Sequence, residues 1–115
     1  MARTPIHPGE ILSDELRELG ISAAELARVI RVPANRVSQI LSGKRNITAD
    51  TALRLGRWFG TGPQLWLNLQ QAYDLDLSWE RLGEELEAVE PRVPVAVNAV
   101  EVEDMAKPND PQDGQ

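Results

Sequence analysis

Apolar residues recur at intervals of three and four along most of this chain, and capping residues and glycines interrupt them at regular points. That period is typical of amphipathic helices, and nothing ahead of the proline-rich end alternates like a strand. Residues 8–19 show the helical spacing, and Gly20 suits the left-handed residue that ends a helix. Ser22 and Glu25 then form the S-x-x-E pattern of a capping box. The pattern predicts a first helix over residues 8–19 and a short second helix that ends near Ile30.

The same signals predict three further helices. Pro33 suits the start of a third helix, and Gly43 suits its end. Thr48 is placed to cap a fourth helix that stops before Gly60. The spacing resumes after that glycine and predicts a fifth, longer helix that runs to about Leu77. The pattern therefore predicts an all-α fold.

The end of the chain is organised differently. Residues 78–90 predict one more helix, which Gly83 weakens. Four of the eight prolines lie in residues 91–115, whose composition is typical of a largely flexible tail. Within that tail, the valines of residues 93–102 have the period of a short edge strand. These shifts predict a domain over residues 1–77, followed by a C-terminal helix and a tail.

The net charge of −6 is unevenly distributed. Residues 1–60 contain nine Lys or Arg against six Asp or Glu, whereas residues 61–90 contain one against seven. A basic first half of this kind favours contact with a polyanion, and an acidic second half favours solvent or a basic partner.

Several classes of function find little support in the residues. The chain has no cysteine, and its one histidine, His7, is better interpreted as a local cap or an exposed side chain than as a metal ligand. Its serines have no histidine base, and it has no glycine-rich phosphate loop. No segment approaches the ~18 apolar residues of a membrane span, and the first residues lack the apolar core of a secretory signal. We therefore expect a cytoplasmic protein with no catalytic residue, metal, cofactor or membrane contact.

The link between the second and third helices indicates nucleic-acid binding. It consists of Arg31 and Val32, which is short enough to force the steep crossing of a helix-turn-helix motif and to turn the outer face of the third helix toward a DNA major groove. Small and amide side chains suit base reading, with Asn and Gln able to form two hydrogen bonds to adenine, and flanking cations suit phosphates. The predicted reading residues are Ala34, Asn35, Ser38, Gln39 and Ser42, and the predicted flanking contacts are Arg36, Lys44, Arg45 and Asn46. The pattern leaves a second interpretation open, an ordinary solvated helix face followed by a basic loop.

The segment VPANRVSQILSGKRNITADTALRLGRWFGTGPQLWLNLQQAYDL, together with HPGEIL near the start, resembles antitoxins of the HigA type. These antitoxins belong to the Xre/Cro-like, or lambda-repressor-like, helix-turn-helix repressors. The resemblance covers roughly residues 6–77 and implies a five-helix domain that dimerises, represses its own operon and neutralises an mRNA-cleaving toxin. It also implies DNA contact by Asn35, Arg36, Ser38, Gln39, Lys44 and Arg45.

Two residues depart from the Xre-type pattern. Arg31 stands where the turn usually has glycine, so it must adopt a positive φ or avoid one at a cost. Ala23 stands where a glutamine often touches phosphate, so one backbone contact is expected to be missing.

The five aromatic residues all lie in residues 58–79, and several form an apolar stripe on the fifth helix. The stripe is either plain core packing or a twofold dimer contact, and the two are compatible because a small dimer shares its core. The dimer interpretation places Trp58 and Phe59 inside each protomer. The predicted interface residues are Leu65, Trp66, Leu69 and Tyr73.

The expected function is that of an antitoxin that binds double-stranded operator DNA as a homodimer and also binds a cognate toxin, expected to be a small basic ribonuclease. The acidic residues 74–104 are the predicted docking surface for that toxin, and the resemblance leaves the first helix as the alternative. A stand-alone regulator of the same fold is the close alternative. A helical protein-interaction adaptor without a DNA role is the distant one.

Overall fold

A computed structural model describes residues 3–93, and these residues contain helices and no strand. The helices are α1 (Pro8–Leu19), α2 (Ala23–Ile30), α3 (Ala34–Leu41), α4 (Ala49–Phe59) and α5 (Pro63–Glu87). The predicted all-α fold is confirmed, and the predicted bounds of the first four helices are correct to within about a residue. None of the helices within residues 3–93 has the length and apolarity that crossing a membrane requires.

Local capping chemistry explains where the helices begin. Ser22 accepts a hydrogen bond from the backbone N–H of Glu25 at 3.1 Å, and the Glu25 carboxylate accepts one from the N–H of Ser22 at 3.0 Å, so the predicted capping box is present. Thr48 caps α4 by accepting from the N–H of Thr51. Gly20 ends α1 and Gly60 ends α4 in the left-handed conformation, as predicted.

The core lies between α1, α2, α3, α4 and the first turns of α5. Its buried apolar side chains come from every one of these helices and from the loop before α4. They are Leu12, Leu16, Leu26, Ala27, Ile30, Val37, Ile40, Ile47, Ala52, Leu55 and Trp66. This core fixes α3 between α1 and α2, which positions the candidate site.

The start of α1 packs directly against the end of α3. A Cβ built on Gly9 would overlap the carbonyl oxygen of Ile40, so only glycine allows the two backbones to approach this closely. His7 precedes α1 and is 5% exposed. Its Nδ1 accepts a hydrogen bond from the N–H of Gly9 at 2.8 Å, and its ring meets the Tyr73 ring edge to face, with centroids 4.9 Å apart. The prediction of a local cap is confirmed, whereas the alternative of an exposed side chain is wrong.

The fifth helix does not stop at Leu77. It continues to Glu87, and its interruption lies at Gly83, where φ is 30° and ψ is −110°. Residues 77–82 contain neither glycine nor proline, so nothing in this stretch ends the helix. Asp76, just before it, is buried and accepts a hydrogen bond from Arg3 Nε at 3.2 Å, which attaches this turn of α5 to the segment before α1. The interruption therefore lies at Gly83, later in the chain than the predicted boundary after Leu77.

The chain divides into two units at Gly83. Of the second unit the structure describes residues 84–93, which complete one helical turn to Glu87 and are exposed, including the acidic side chains. Apart from Val93, the predicted strand over residues 93–102 lies outside the described residues, as does most of the predicted tail.

Candidate DNA-binding surface

The turn between α2 and α3 has the backbone of a helix-turn-helix motif. Arg31 follows α2 with φ 66° and ψ 51°, and it is the one non-glycine residue with positive φ within residues 3–93. The N–H of Val32 then bonds the Ala27 carbonyl at 2.9 Å, which closes the end of α2. Arg31 therefore adopts the left-handed conformation usual for glycine here, at a cost of ~1–2 kcal/mol for a residue with a Cβ.

Arg54 from α4 holds this turn from the outside. Its Nη1 donates to the carbonyl oxygens of Ile30 at 3.0 Å and Arg31 at 3.1 Å. Both carbonyls belong to the C-terminal end of α2, where they have no partner within the helix. A cation placed there also interacts favourably with the helix dipole. Sequence reasoning gave Arg54 no role, because its partners lie more than twenty residues earlier in the chain.

The outer face of α3 carries the predicted reading residues. Val37 and Ile40 are buried in the core, so the helix turns its opposite side outward. On that side Ala34, Asn35, Ser38 and Ser42 are exposed and Gln39 is half-buried. The orientation predicted for α3 is confirmed, and contact with DNA through these side chains stays a prediction.

The predicted flanking cations divide into two groups. Lys44, Arg45 and Asn46 are exposed in the loop that follows α3. Arg36 is half-buried, and its Nη1 donates to the carboxylate of Asp50 at 2.9 Å. Arg36 is therefore tied to the start of α4, and its charge is partly neutralised before any phosphate arrives.

Asp50 links α3 to α4. Its carboxylate accepts from Arg54 Nε at 2.8 Å as well as from Arg36. The hydrogen bond from Arg54, followed by that from Arg36, lowers the pKa of Asp50 from its usual 3.8. The carboxylate is thus ionised at neutral pH and connects the side of α3 to the arginine that holds the α2–α3 turn.

Gln39 and Arg45 form a pair on the outer face. Arg45 Nε donates to Gln39 Oε1 at 2.9 Å. The backbone brings them together, because the N–H groups of Lys44 and Arg45 both donate to the carbonyl of Gln39, at 2.8 and 3.2 Å. Gly43, with φ 81°, makes the sharp turn that returns the chain to the helix.

Gln70 on α5 supports the loop from below. Its side chain is buried, and its Oε1 accepts from the N–H of Ile47 at 2.7 Å while its Nε2 donates to Asp74 at 3.0 Å. This satisfies a backbone group at the base of the loop that carries the exposed cations. The only signal for this role in the sequence is weak, a polar residue four positions after Trp66 on an otherwise apolar stripe.

The predicted dimer stripe needs a correction at two tryptophans. Trp66 is 1% exposed and its Nε1 donates to Thr61 Oγ1 at 3.1 Å, so it belongs to the core of one protomer and is not available to a second copy. Trp58, expected inside the protomer, is 40% exposed. The reason is the helical period. Leu55 and Phe59, four residues apart, lie on the side of α4 that faces the core, so Trp58 lies at the edge of that side.

The other stripe residues differ in exposure. Leu65 is 43% exposed, whereas Leu69 packs partly against the core and Tyr73 packs against His7. A dimer contact through these three residues stays a prediction. Ala23, the residue in place of the expected glutamine, also packs partly against the core.

An outward-facing third helix, a two-helix motif with a tight left-handed turn and a basic loop beside it define a helix-turn-helix protein of the DNA-binding type. A family model described as helix-turn-helix matches residues 12–66. The chain is 43% identical over 99 residues to Virulence-associated protein I of Dichelobacter nodosus, covering 85% of this chain and 88% of that one. It belongs to the HigA-type antitoxins of this helix-turn-helix family, which confirms the resemblance seen in the sequence.

Two solved structures support this assignment. An addiction module antidote protein of the HigA family from Coxiella burnetii is 53% identical with a TM-score of 0.76, covering 77% of this chain and 99% of that one. The Pseudomonas aeruginosa antitoxin HigA, solved with the higBA promoter, is 47% identical with a TM-score of 0.75, covering 78% of this chain and 100% of that one.

Proposed function

We propose that this protein is the antitoxin of a toxin–antitoxin pair that binds the operator of its own operon and represses it. The observation that carries the proposal is the outward face of α3 with its adjoining basic loop, in a chain 47% identical to an antitoxin solved with promoter DNA. Repression follows from geometry, because a protein seated on a promoter excludes polymerase. The distribution of charge agrees, since the cations of the first half lie where a polyanion would dock although the whole chain is acidic.

Each part of the surface has a distinct task in this proposal. α3 enters the major groove, where Asn35 and Gln39 reach base edges. Ala34, Ser38 and Ser42 are small enough to let the helix backbone approach. Lys44 and Asn46 contact phosphates beside the groove, which fixes the register of the helix but carries no sequence information.

Two copies are needed for a specific operator. One recognition helix reads only a few base pairs, and a twofold dimer places a second copy about 34 Å along the duplex. The operator is therefore an inverted repeat. The exposed Leu65 and the accessible parts of Leu69 and Tyr73 provide the dimer contact.

Toxin binding is assigned to the acidic residues 74–104. A toxin that cleaves mRNA needs a basic surface for its substrate, and an acidic partner covers such a surface. The described part of this segment presents Leu75, Trp79 and Leu82 as exposed apolar side chains among the acids, which gives a protein partner area to bury. The antitoxin acts in the cytoplasm, where its promoter and the mRNA are both found.

Two measurements test the proposal together. The purified protein should shift a duplex of its own promoter but not a scrambled duplex, and its co-expression should restore growth to cells that express the neighbouring reading frame. Promoter binding without neutralisation would identify a stand-alone regulator. The absence of a shift would favour an adaptor.

A further inference from the structure

The pairing of Gln39 with Arg45 decides which hydrogen-bonding groups α3 offers to DNA. A guanidinium has N–H donors and no acceptor, so the carboxamide oxygen of Gln39 must face Arg45 Nε, 2.9 Å away. The NH₂ group of Gln39 then lies on the other side of the carboxamide. Arg45 still has both terminal nitrogens, each with two N–H groups, beside it. The pair therefore presents a row of donors.

A row of donors matches one purine and mismatches the other. Guanine offers two acceptors in the major groove, N7 and O6, whereas adenine offers the N7 acceptor and an N6 amino donor. Adenine offers this row only one acceptor, and its N6 amino group would face the remaining N–H groups of Arg45, donor against donor. From this geometry we infer that Gln39 and Arg45 act as one reading unit for guanine, and that Arg45 determines specificity instead of merely contacting phosphate.

Backbone hydrogen bonds place these two residues side by side before DNA arrives. The carbonyl of Gln39 accepts from the N–H groups of Lys44 and Arg45 and from Ser42 Oγ, which holds the loop against the last turn of α3. The buried bond from Ile47 to Gln70 anchors the far end of the same loop. A side chain positioned in advance loses little entropy on binding, so the unit is suited to discriminate between bases.

This inference rests on the proposed DNA binding, and it assigns a base to the contact. The earlier expectation that Gln39 pairs with adenine follows from an isolated glutamine. An arginine bound to that oxygen takes one of its two lone pairs and adds donors beside it, which makes guanine the better match.

The experiment selects duplexes from a pool with a randomised segment and compares four forms of the full chain. In Gln39→Ala, one position of the duplex should lose its base preference, and that position is the one that Gln39 reads. Wild type should prefer guanine there. Arg45→Lys keeps the positive charge but removes the guanidinium that binds the Gln39 carboxamide. It should therefore reduce the preference for guanine over adenine at that position about tenfold, the effect of losing one bidentate base contact. Lys44→Gln is the matched control, since it removes a cation from the same loop and should weaken binding to all sequences while the guanine preference stays.

The outcomes separate the inference from the proposed function. Three results would each overturn the reading unit while DNA binding stands. They are a wild-type preference for adenine at the Gln39-dependent position, an unchanged base preference in Arg45→Lys, and a Gln39→Ala variant that keeps its base preference at every position. A wild-type protein that selects no sequence would overturn both. Circular dichroism of each variant confirms folding, which is expected because Lys44 and Arg45 are exposed and Gln39 lies outside the core.

Discussion

Arg31 is a residue held in a conformation that its side chain disfavours. Its φ of 66° belongs to the left-handed region, where a Cβ costs ~1–2 kcal/mol. Arg54 donates to the carbonyls on both sides of the Arg31 Cα, those of Ile30 and Arg31, and the closing bond from Val32 completes the turn. The surrounding bonds therefore determine the conformation, and the strain at Arg31 persists because they outweigh it.

Replacing Arg31 with glycine should stabilise the protein. The substitution removes the left-handed penalty, and the greater freedom of glycine in the unfolded chain offsets ~0.5–1 kcal/mol of that gain. We expect a net gain of about 0.5–1 kcal/mol in the free energy of unfolding, measured by urea denaturation. Arg28→Gly, inside α2, is the control and should instead lose about 1 kcal/mol. Destabilisation by Arg31→Gly would show that the turn is unstrained or that the side chain has a further role.

Among the secondary-structure elements, the loop between α3 and α4 depends on α5. The loop holds the exposed cations, yet its base is fixed by a side chain from a helix that starts sixteen residues later. Ile47 is buried, so its N–H has no access to water, and Gln70 supplies its partner. The long fifth helix thus supports the DNA-binding surface from behind.

Gln70→Ala should weaken both the fold and DNA binding. It leaves the N–H of Ile47 buried without its partner, which costs about 1–3 kcal/mol of unfolding free energy. The loosened loop should also reduce promoter affinity. Gln71→Ala, at the exposed neighbouring position, should change neither quantity. Equal thermal stability of the two variants would contradict the role of Gln70.

The ion pairs of Asp50 should make the α3–α4 link sensitive to acid. The pKa of Asp50 is lowered in the folded state by Arg54 and then Arg36, so its stabilisation is fully present above the unfolded value of 3.8 and is lost as pH falls through the folded value. Asp50→Asn should therefore be less stable than wild type at neutral pH. The two urea midpoints should converge below pH 3.8. A difference that stays constant over the whole range would exclude this cause.

At the scale of the whole molecule, charge and apolar surface are separated. The cations that surround α3 allow an acidic chain to meet DNA, because the local field and not the net charge of −6 governs where a polyanion docks. Several large apolar side chains stay exposed, among them Leu53, Trp58 and Leu65.

The two neighbours Leu65 and Trp66 should separate folding from dimerisation. Leu65 is exposed, so Leu65→Glu should change the stability of the protomer by less than about 0.5 kcal/mol while it weakens the dimer. Trp66 is buried, so Trp66→Ala should cost about 3–5 kcal/mol of unfolding free energy. Sedimentation velocity and denaturation measure the two effects. A Leu65→Glu variant that still sediments as a dimer at micromolar concentration would remove this face from the interface.

Spacing and capping were sufficient to predict most of the helical elements. The capping box at Ser22 and Glu25, the cap at Thr48 and the stop at Gly20 involve residues within three or four positions of one another. Such interactions form with neighbours along the chain, whatever the rest of the fold does. The outward side of α3 was also predictable, because Val37 and Ile40 mark its buried side.

Tertiary structure alone decided the contacts between distant residues. Arg36 meets Asp50 fourteen positions later, and Gln70 meets Ile47 across twenty-three. The places of Trp58 and Trp66 were likewise set by how α4 and α5 turn toward one core, and the spacing of aromatic residues does not contain that rotation. By itself the sequence determined the first four helices, the outward face of α3 and the family. Only the packing of α4 and α5 decided which arginines form ion pairs with Asp50 and which tryptophan is buried. Those outcomes depend on how the helices are placed relative to one another and not on the order of residues within a single helix.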